Sequence, residues 1–216
     1  MPDQDVRLQH LKVWLDEQLP DLFANEGWGA VPPATLTAAS SDASFRRYFR
    51  WEGDGRSFIV MDAPPPQENC KPFVDIAQLL RTSQINVPKI YAQDLERGFL
   101  LLNDLGNKTF LDVINSSNAD ELFKDAIESL LAFQHLPMTA PLPSYDVALL
   151  RRELELFPEW YVRAHLGVEF DEQQQAAWQR VSALLIDSAL AQPQVLVHRD
   201  FMPRNLMLSI PNPGVL

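Results

Sequence analysis

The spacing of apolar residues predicts strands in the first hundred residues and helices in the rest of the chain. Residues 5 to 19 carry apolar side chains at three- and four-residue steps, which predicts a helix that ends at Pro20. Residues 36 to 62 are rich in β-forming side chains and contain an Asp54-Gly55 turn, which predicts a β-hairpin. The chain therefore begins with a helix and continues into a sheet.

The pattern then changes from strands to helices. Pro72 predicts the start of a short helix. Proline is tolerated in the first turn of a helix because the N–H that it lacks would have no helical partner there. Further strands are predicted at residues 87 to 91 and 98 to 102, and helices at 119 to 136, 146 to 165 and 171 to 191, with Pro158 kinking or dividing the second of these helices.

A second stretch of short apolar runs lies near the end of the sequence. Residues 195 to 197 predict a buried strand, and residues 207 to 208 with 215 to 216 predict the beginnings of a short hairpin. A sheet followed by helices predicts an α+β fold with two lobes. We place the lobe that contains the sheet at residues 1 to 103 and the helical lobe at residues 104 to 216.

Composition and charge narrow the function. The 216 residues carry a net charge of −11, which disfavours binding to nucleic acid or to an anionic membrane. Cys70 is the single cysteine, which excludes an internal disulfide and a cysteine-rich metal site and fits a reducing compartment. The sequence shows no apolar run long enough for a membrane helix, and its acidic start is unlike a secretory signal. We expect a cytoplasmic protein.

The strongest chemical motif runs His198-Arg199-Asp200-Phe201-Met202-Pro203-Arg204-Asn205. Phosphoryl transfer needs a carboxylate that orients the attacking hydroxyl, and it needs ligands for Mg²⁺ that neutralise the phosphate charge. Asp200 is the predicted catalytic carboxylate, and Asn205 is the predicted metal ligand through its amide oxygen. His198 is predicted to hold the loop by bonding to backbone carbonyls.

The two arginines of this motif allow more than one interpretation. Arg204 is a candidate catalytic residue that clamps the transferred phosphate, since a guanidinium binds phosphate in a bidentate manner. An exposed arginine without a role in catalysis explains Arg204 equally well. We expect Arg199 to pair with a neighbouring carboxylate and not with the substrate.

With this motif, the chain resembles the aminoglycoside phosphotransferase family, relatives of the protein kinases that phosphorylate small molecules. The matching features run from about Leu36 to Leu216. Within the family the chain is similar to the bacterial anomeric kinases that phosphorylate N-acetylmuramate and N-acetylglucosamine at C1 in cell-wall recycling. The segments that carry this likeness are residues 41 to 50, 60 to 65, 98 to 106 and 198 to 205.

The resemblance implies ATP and Mg²⁺ as cofactors and three sets of contacts. Backbone amides of the phosphate loop would cover the ATP phosphates, and this loop comprises Ser40, Ser41, Asp42, Ala43 and Ser44. The hinge between the lobes would bond the adenine through its backbone, and it comprises Leu102, Asn103, Asp104 and Leu105. An amino sugar would contact a set of residues from the second predicted C-lobe helix, namely Arg151, Arg152, Glu153, Glu155, Trp160 and Tyr161. Ordinary helix faces explain this last set just as well.

Two features depart from the family pattern. The strand after the phosphate loop, residues 58 to 62, lacks the lysine that usually grips the nucleotide phosphates. Arg46, Arg47 or Arg50 on the preceding strand are candidates for the missing charge, although surface arginines beside carboxylates are the alternative. The second metal-binding aspartate of the family does not occur before Leu216, so we expect a truncated helical lobe that does not turn over by itself.

The sequence leaves three functions open. The first is an ATP-dependent kinase that phosphorylates the anomeric hydroxyl of an amino sugar in peptidoglycan recycling. The second is the same transfer to an aminoglycoside or another small alcohol, which the acidic net charge would favour if the acceptor is a cation. The third is a nucleotide-binding module without catalysis. The oligomeric state does not follow from the sequence.

Overall fold

A computed structural model describes residues 2–41, 45–83, 85–136 and 142–216, with the backbone only for residues 2–5, 40 and 41. The helices are α1 (Pro2–Asn25), α2 (Lys71–Arg81), α3 (Phe110–Val113), α4 (Ala119–Gln134), α5 (Val147–Leu156) and α6 (Glu172–Leu190), with a π-helix at Phe157–His165 and a 3-10 turn at Pro203–Asn205. The strands are β1 (Thr35–Ser41), β2 (Arg47–Gly53), β3 (Arg56–Asp62), β4 (Ile90–Asp94), β5 (Phe99–Asn103), β6 (Leu206–Met207) and β7 (Gly214–Val215).

The chain forms two compact units. The first contains residues 1–136 together with 197–216, and the second contains residues 137–196. The first unit thus holds the sheet, helices α1 to α4 and the predicted catalytic loop. The second holds α5, the π-helix and α6. The lobe boundary that we predicted after residue 103 stays a prediction.

The first unit is built on a five-stranded antiparallel sheet with the order β1-β2-β3-β5-β4. The predicted hairpin is confirmed as β2 and β3, whose register places Arg47 opposite Asp62 and Gly53 opposite Arg56. Asp54 and Gly55 both have positive φ angles, 49° and 70°, as a two-residue hairpin turn with the twist of the flanking strands requires.

Side chains alternate between the two faces of this sheet, and each face packs on a different helix. The α1 face, named for that helix, forms one apolar cluster that includes Trp14, Phe23, Trp51, Phe58 and Phe99. The α2 face forms a second cluster, made of Met61, Leu100 and Leu102 with Val74, Cys70 and Ala63, against which Tyr48, Ile59, Phe73 and Ile90 pack. The sheet is therefore covered on both sides.

Two predicted elements are wrong. Helix α1 continues through Pro20 to Asn25. Pro20 cannot donate a helical hydrogen bond, but the buried side chains of Leu22 and Phe23 continue the apolar face of the helix and stabilise its last turn. Residues 195–197 form no strand, and Val197 is 51% exposed. A strand needs a ladder partner, and the nearby β6 pairs with β7 and with Thr109.

The remaining helix predictions hold with changed boundaries. Pro158 does divide the second helical pattern, because α5 gives way to the π-helix at Phe157. Asp146 caps α5 by accepting a hydrogen bond of 2.9 Å from the Leu149 amide, and Asp171 caps α6 in the same manner through Gln174. The four-residue helix α3 was missed, since it is too short for a periodic pattern. No helix among the described residues is long and apolar enough to cross a membrane.

Candidate functional site

The predicted catalytic loop is closed by its own side chains. Asn205 donates from Nδ2 to the Asp200 carboxylate oxygen Oδ2 at 2.8 Å and to the Asp200 backbone carbonyl at 2.9 Å. Pro203–Asn205 forms a 3-10 turn in which the Asn205 amide donates to Met202 at 2.8 Å. The turn brings the two predicted site residues together although they are five positions apart, and Asp200 remains exposed to solvent.

His198 holds the start of this loop. Its Nε2 lies 3.0 Å from the backbone carbonyl of Leu216, to which it donates, and its ring packs edge-on against Phe133 and Phe201. Its Nδ1 is buried with no hydrogen-bond partner among the described residues. His198 therefore anchors the loop to Leu216, the residue after β7, and its part in catalysis stays a prediction.

The hairpin after the loop is tied to the sheet. Strands β6 and β7 pair through Leu206 and Val215, and the Val215 amide donates to the Asn86 carbonyl at 2.8 Å. The Asn86 side chain in turn donates to Ser209 Oγ at 3.0 Å. Asn86 lies in the connection between α2 and β4. Its hydrogen bonds therefore attach the hairpin that follows the catalytic loop to the segment that leads into the sheet.

The two arginines of the loop differ in backbone geometry. Arg199 has a φ of 73°, in the left-handed region that residues other than glycine rarely adopt and that is often found at functional sites. Its side chain has an interaction partner in the structure. Arg204 is exposed in the 3-10 turn next to Asn205, and its role as a phosphate clamp stays a prediction.

Arg50 binds the predicted hinge. It donates from Nε to Asp104 Oδ2 at 2.6 Å, and from Nη2 to Asp104 Oδ1 at 3.1 Å and to the Gly106 carbonyl at 2.8 Å. Burial by itself would raise the pKa of Asp104, but hydrogen bonds from Arg50 and the Gly106 amide outweigh it and hold that pKa below its usual value. The bond to Asp104 is the main cause that raises the pKa of Arg50. Both charges are thus engaged in fixing the hinge.

The rest of the hinge belongs to the sheet. Leu102 is buried on the α2 face, and the Asn103 amide donates to the Lys89 carbonyl at 2.9 Å, while Asn103 Oδ1 accepts from the Lys89 amide. Leu105 is partly exposed just beyond β5. This segment is therefore held from β2 on one side and from the residue before β4 on the other.

Arg47 is bound on the α1 face. Its Nε donates to Asp62 Oδ2 at 3.0 Å, and Arg7 of α1 donates from Nε to the other oxygen, Oδ1, at 3.1 Å. The Asp62 side chain is fully buried. A buried carboxylate requires such partners, so the pair of guanidinium groups accounts for its presence inside the protein.

Arg46 is bound at the other side of the same strand end. It donates from Nε to Glu68 Oε2 at 3.0 Å, and the neighbouring Phe45 amide donates to Glu68 Oε1 at 3.3 Å. Burial would lower the pKa of Arg46, but Tyr48 and Glu68 outweigh it and raise that pKa. Ser40 and Ser41 end β1, whereas Asp42, Ala43 and Ser44 lie outside the described residues.

The predicted sugar-contacting residues lie in the second unit. Trp160 and Tyr161 of the π-helix are 63% and 50% exposed, and Tyr161 stacks between Phe157 and His165 at ring distances of 5.5 and 5.6 Å. Arg151, Arg152 and Glu155 are exposed on α5, and Glu153 is partly buried with an interaction partner. An exposed aromatic column beside charged side chains suits a sugar, and this assignment stays a prediction.

The first unit also has two open cavities. One of about 690 Å³ is bounded by α1, α2 and β4, including Gln18, Arg81 and Tyr91. The other, of about 260 Å³, includes Asn86 and the hinge residue Asn103. Neither cavity reaches Asp200 in the described part of the chain, so neither one marks the catalytic loop.

The residues present fit a magnesium ion only in part. Mg²⁺ takes oxygen ligands and is bound by one or two side chains together with substrate phosphates. The side-chain amide of Asn205 has such an oxygen, and its Nδ2 donates to the carboxylate of Asp200, the predicted base. Within the described residues no group of three His, Cys, Asp or Glu side chains forms a metal site. Burial raises the pKa of the Cys70 thiol, which disfavours the reactive thiolate form.

The sequence did not reveal three residues of this site. Arg7, Asp62 and Glu68 lie far along the chain from the arginines or carboxylates that they bind, so no local motif contains both partners. The sequence contains one indication of these ion pairs. Asp62 is a charged residue at the end of an apolar strand, and a buried carboxylate there would need a cationic partner.

Comparison with known proteins places this geometry in a family. Residues 35–216 match the model of the phosphotransferase enzyme family. The chain is 72% identical over 216 residues to an N-acetylmuramate/N-acetylglucosamine kinase of Pseudomonas putida, and 62% identical over 212 residues to one of Pseudomonas aeruginosa. It covers 64% and 63% of these relatives, so it spans less than two thirds of their length, while they match 100% and 98% of this chain.

The fold is also known from solved structures. The crystal structure of the aminoglycoside phosphotransferase APH(4)-Ia has a TM-score of 0.55, with 14% identity over 91% of this chain and 69% of that one. At this identity the likeness shows the fold alone, and it confirms the predicted two-lobed, kinase-like α+β class. From the match of residues 35–216, this chain belongs to the phosphotransferase enzyme family.

Proposed function

We propose that the protein is a kinase that uses ATP and Mg²⁺ to phosphorylate the anomeric hydroxyl of N-acetylmuramate or N-acetylglucosamine. The observation that carries the proposal is the Asp200 carboxylate, exposed to solvent and held by Asn205 in a loop of a phosphotransferase-family chain. The names of the two Pseudomonas relatives support the choice of amino sugar.

Asp200 would accept the proton of the sugar hydroxyl and orient its oxygen toward the γ-phosphate. The anomeric hydroxyl is more acidic than an ordinary alcohol, so a carboxylate is a sufficient base for this step. Asn205 keeps Asp200 in one orientation through its Nδ2, and its amide oxygen would ligate the metal. When bound, Mg²⁺ would neutralise charge on the transferred phosphate.

The hinge would bind the adenine. The Arg50–Asp104 pair and the Lys89–Asn103 pair fix the hinge backbone before the nucleotide arrives, which reduces the entropic cost of binding. The requirement for ATP and the single cysteine, Cys70, support a cytoplasmic location.

The test is an Asp200→Asn substitution in the full-length protein, with Asp187→Asn on the exposed surface of α6 as the matched control. We expect the rate of phosphate transfer to fall by about a thousandfold in the first variant, as for loss of a general base. The affinity for ATP should stay within a factor of about three in both variants, since a base acts on the acceptor. Turnover of Asp200→Asn near the wild-type rate would exclude Asp200 as the base.

The acceptor is tested separately with a panel of small molecules. N-acetylmuramate and N-acetylglucosamine should give ADP release, whereas aminoglycosides and choline-like alcohols should not. We further propose that Tyr161 contacts the sugar, so Tyr161→Ala should raise the KM for sugar and leave the KM for ATP unchanged. ATP binding without transfer to any acceptor would instead indicate a non-catalytic module.

A further inference from the structure

The sheet of this protein lacks the usual phosphate-binding lysine, and its place on the α2 face is taken by apolar side chains. Kinase-fold enzymes carry this lysine on the strand after the phosphate loop and hold it with a glutamate from the following helix. On β3 the side chains of Ile59 and Met61 point to the α2 face, and Met61 is fully buried. Any positive charge for the phosphates must therefore come from a neighbouring position.

Three arginines follow the predicted phosphate loop, and their positions on the sheet distinguish them. Arg47 lies on the α1 face, where it shares the buried Asp62 with Arg7. Arg50 lies on the α2 face in the middle of β2, where it binds Asp104 and the Gly106 carbonyl. Neither ion pair lies on the α2 face at the start of β2.

Arg46 does lie there. It directly precedes β2, and the alternation of the strand places it on the same side as Tyr48, which packs on the α2 face. Its partner Glu68 lies in the connection that leads from β3 into α2. A cation from the sheet side thus meets a carboxylate from the α2 side, as in the lysine–glutamate pair of the kinase fold.

Glu68 binds the backbone of Phe45, the residue after the predicted phosphate loop, as well as the arginine. One oxygen accepts from Arg46 Nε at 3.0 Å, and the other accepts from the Phe45 backbone amide at 3.3 Å. The position of the Arg46 guanidinium is therefore coupled to the backbone at Phe45. A guanidinium has five N–H donors and can serve several acceptors at once, and Glu68 and Tyr48 are among those of Arg46.

We propose that Arg46 binds the nucleotide phosphates in place of the missing lysine, and that Glu68 is the residue that positions it. This inference rests on the proposed function for the identity of the ligand, a nucleoside triphosphate. Glu68 touches no phosphate and acts through Arg46 and through the loop backbone. Arg47 and Arg50, which were candidates for the same charge, stabilise the sheet and the hinge.

The test compares Arg46→Gln, Arg46→Lys and Glu68→Gln in the full-length protein, with Arg56→Gln as the matched control. Arg56 lies at the other end of the β2–β3 hairpin, 3.9 Å from Asp54 and stacked on Trp28 at 5.0 Å. Dissociation constants for ATP, ADP and adenosine are measured by titration calorimetry, and thermal melting is recorded for each variant.

Arg46→Gln should weaken ATP binding by about tenfold or more, as expected for loss of a charge-assisted hydrogen bond, and leave adenosine binding unchanged. Arg46→Lys should recover part of the loss, because it keeps the charge but not the fork of donors. Glu68→Gln should weaken ATP binding by a smaller factor and raise the KM for ATP more than it lowers kcat. Arg56→Gln should bind all three ligands like the wild type.

Several outcomes would overturn the inference. Unchanged ATP affinity in Arg46→Gln and Glu68→Gln would do so, and so would an equal loss for ATP and adenosine, which indicates a structural role only. If Arg50→Gln weakened ATP binding more than Arg46→Gln did and left adenosine binding unchanged, Arg50 would be the phosphate-binding residue and Arg46 would not. A wild-type protein that binds ATP but phosphorylates no sugar would refute the proposed function, while a phosphate-specific loss in Arg46→Gln would still support this site.

Discussion

The two faces of the five-stranded sheet have different chemistry although they share the same strands. The α1 face is aromatic, with Phe23 packed edge-on against Trp28, Trp51 and Phe58 at ring distances of 5.6 to 6.3 Å. The α2 face is largely aliphatic in its interior, and its rim carries the ion pairs of Arg46 and Arg50. The comparison suggests that one face contributes mainly stability and the other mainly ligand contacts.

The alternation of a strand makes this division possible. Neighbouring residues on β2 point to opposite faces, so Arg46 and Arg47 adjoin in sequence and yet bind carboxylates on opposite sides of the sheet. A single substitution therefore affects one face and leaves the other largely intact. Substitutions on each face offer a direct way to test whether stability and binding are separate.

The largest expected effect is on the α1 face. Phe23→Ala removes a buried ring that contacts three other aromatic side chains, and we expect the free energy of unfolding to fall by about 4 kcal/mol. Urea denaturation measures this loss. Phe123→Ala on α4, where the ring is 46% exposed, is the control and should cost less than about 1 kcal/mol. A weaker affinity for ATP in the folded Phe23→Ala protein would break the proposed division between the faces.

A smaller effect is expected at the buried carboxylate of the same face. Asp62→Asn leaves Arg7 and Arg47 next to a neutral side chain, and we expect a loss of about 3 kcal/mol, as for breaking a buried ion pair. A double-mutant cycle with Arg7→Gln should give a non-additive result because both residues belong to one network. Strictly additive losses would show that Arg7 and Asp62 stabilise the fold independently.

The smallest effect is expected at the rim of the α2 face. Asp104→Asn removes the charge that Arg50 binds, and we expect a loss of about 2 kcal/mol near pH 7, in the range for hydrogen bonds between charged groups. Adenosine affinity should fall as well, because Asp104 fixes the hinge. Unfolding and calorimetric titration together would show whether the pair serves stability, binding or both.

The same pair should make stability depend on pH. The pKa of Asp104 is lowered in the folded protein, so its contribution is complete above the unfolded value of about 3.8 and is lost as the pH falls toward the folded value. The difference in stability between the wild type and Asp104→Asn should therefore shrink below about pH 4. A difference that stays constant from pH 7 to pH 3 would contradict the assigned pKa shift.

Local patterns predicted the parts of the fold that depend on short-range contacts. The Asp54-Gly55 turn and the proline at position 72 specify their elements through backbone geometry alone, and both predictions hold. The triplet at residues 195–197 failed because an apolar run of this length does not reveal whether a partner strand exists. Helix α1 continues beyond Pro20 because the packing of its apolar face on the sheet outweighs the loss of one backbone hydrogen bond.

The site shows the same limit. The spacing of Asp200 and Asn205 predicted a catalytic base and a metal ligand, and these roles stay predictions. The hydrogen bond between the two side chains was not predicted, although one turn joins them in the structure. The partners of the arginines did not follow from the sequence, because Asp62 and Glu68 approach them only when the sheet and its connections are formed. The pairing of Arg7 with Asp62 spans 55 positions, which no local motif can signal.

The central claim is that this protein transfers phosphate to the anomeric oxygen of an amino sugar. Phosphorus NMR of a reaction that contains the full-length protein, ATP, Mg²⁺ and N-acetylglucosamine or N-acetylmuramate tests it most directly. We predict that the γ-phosphate signal of ATP disappears while a sugar 1-phosphate signal grows, with coupling to the anomeric proton. Phosphate attached to another hydroxyl, or ATP left intact beside both sugars, would contradict the claim.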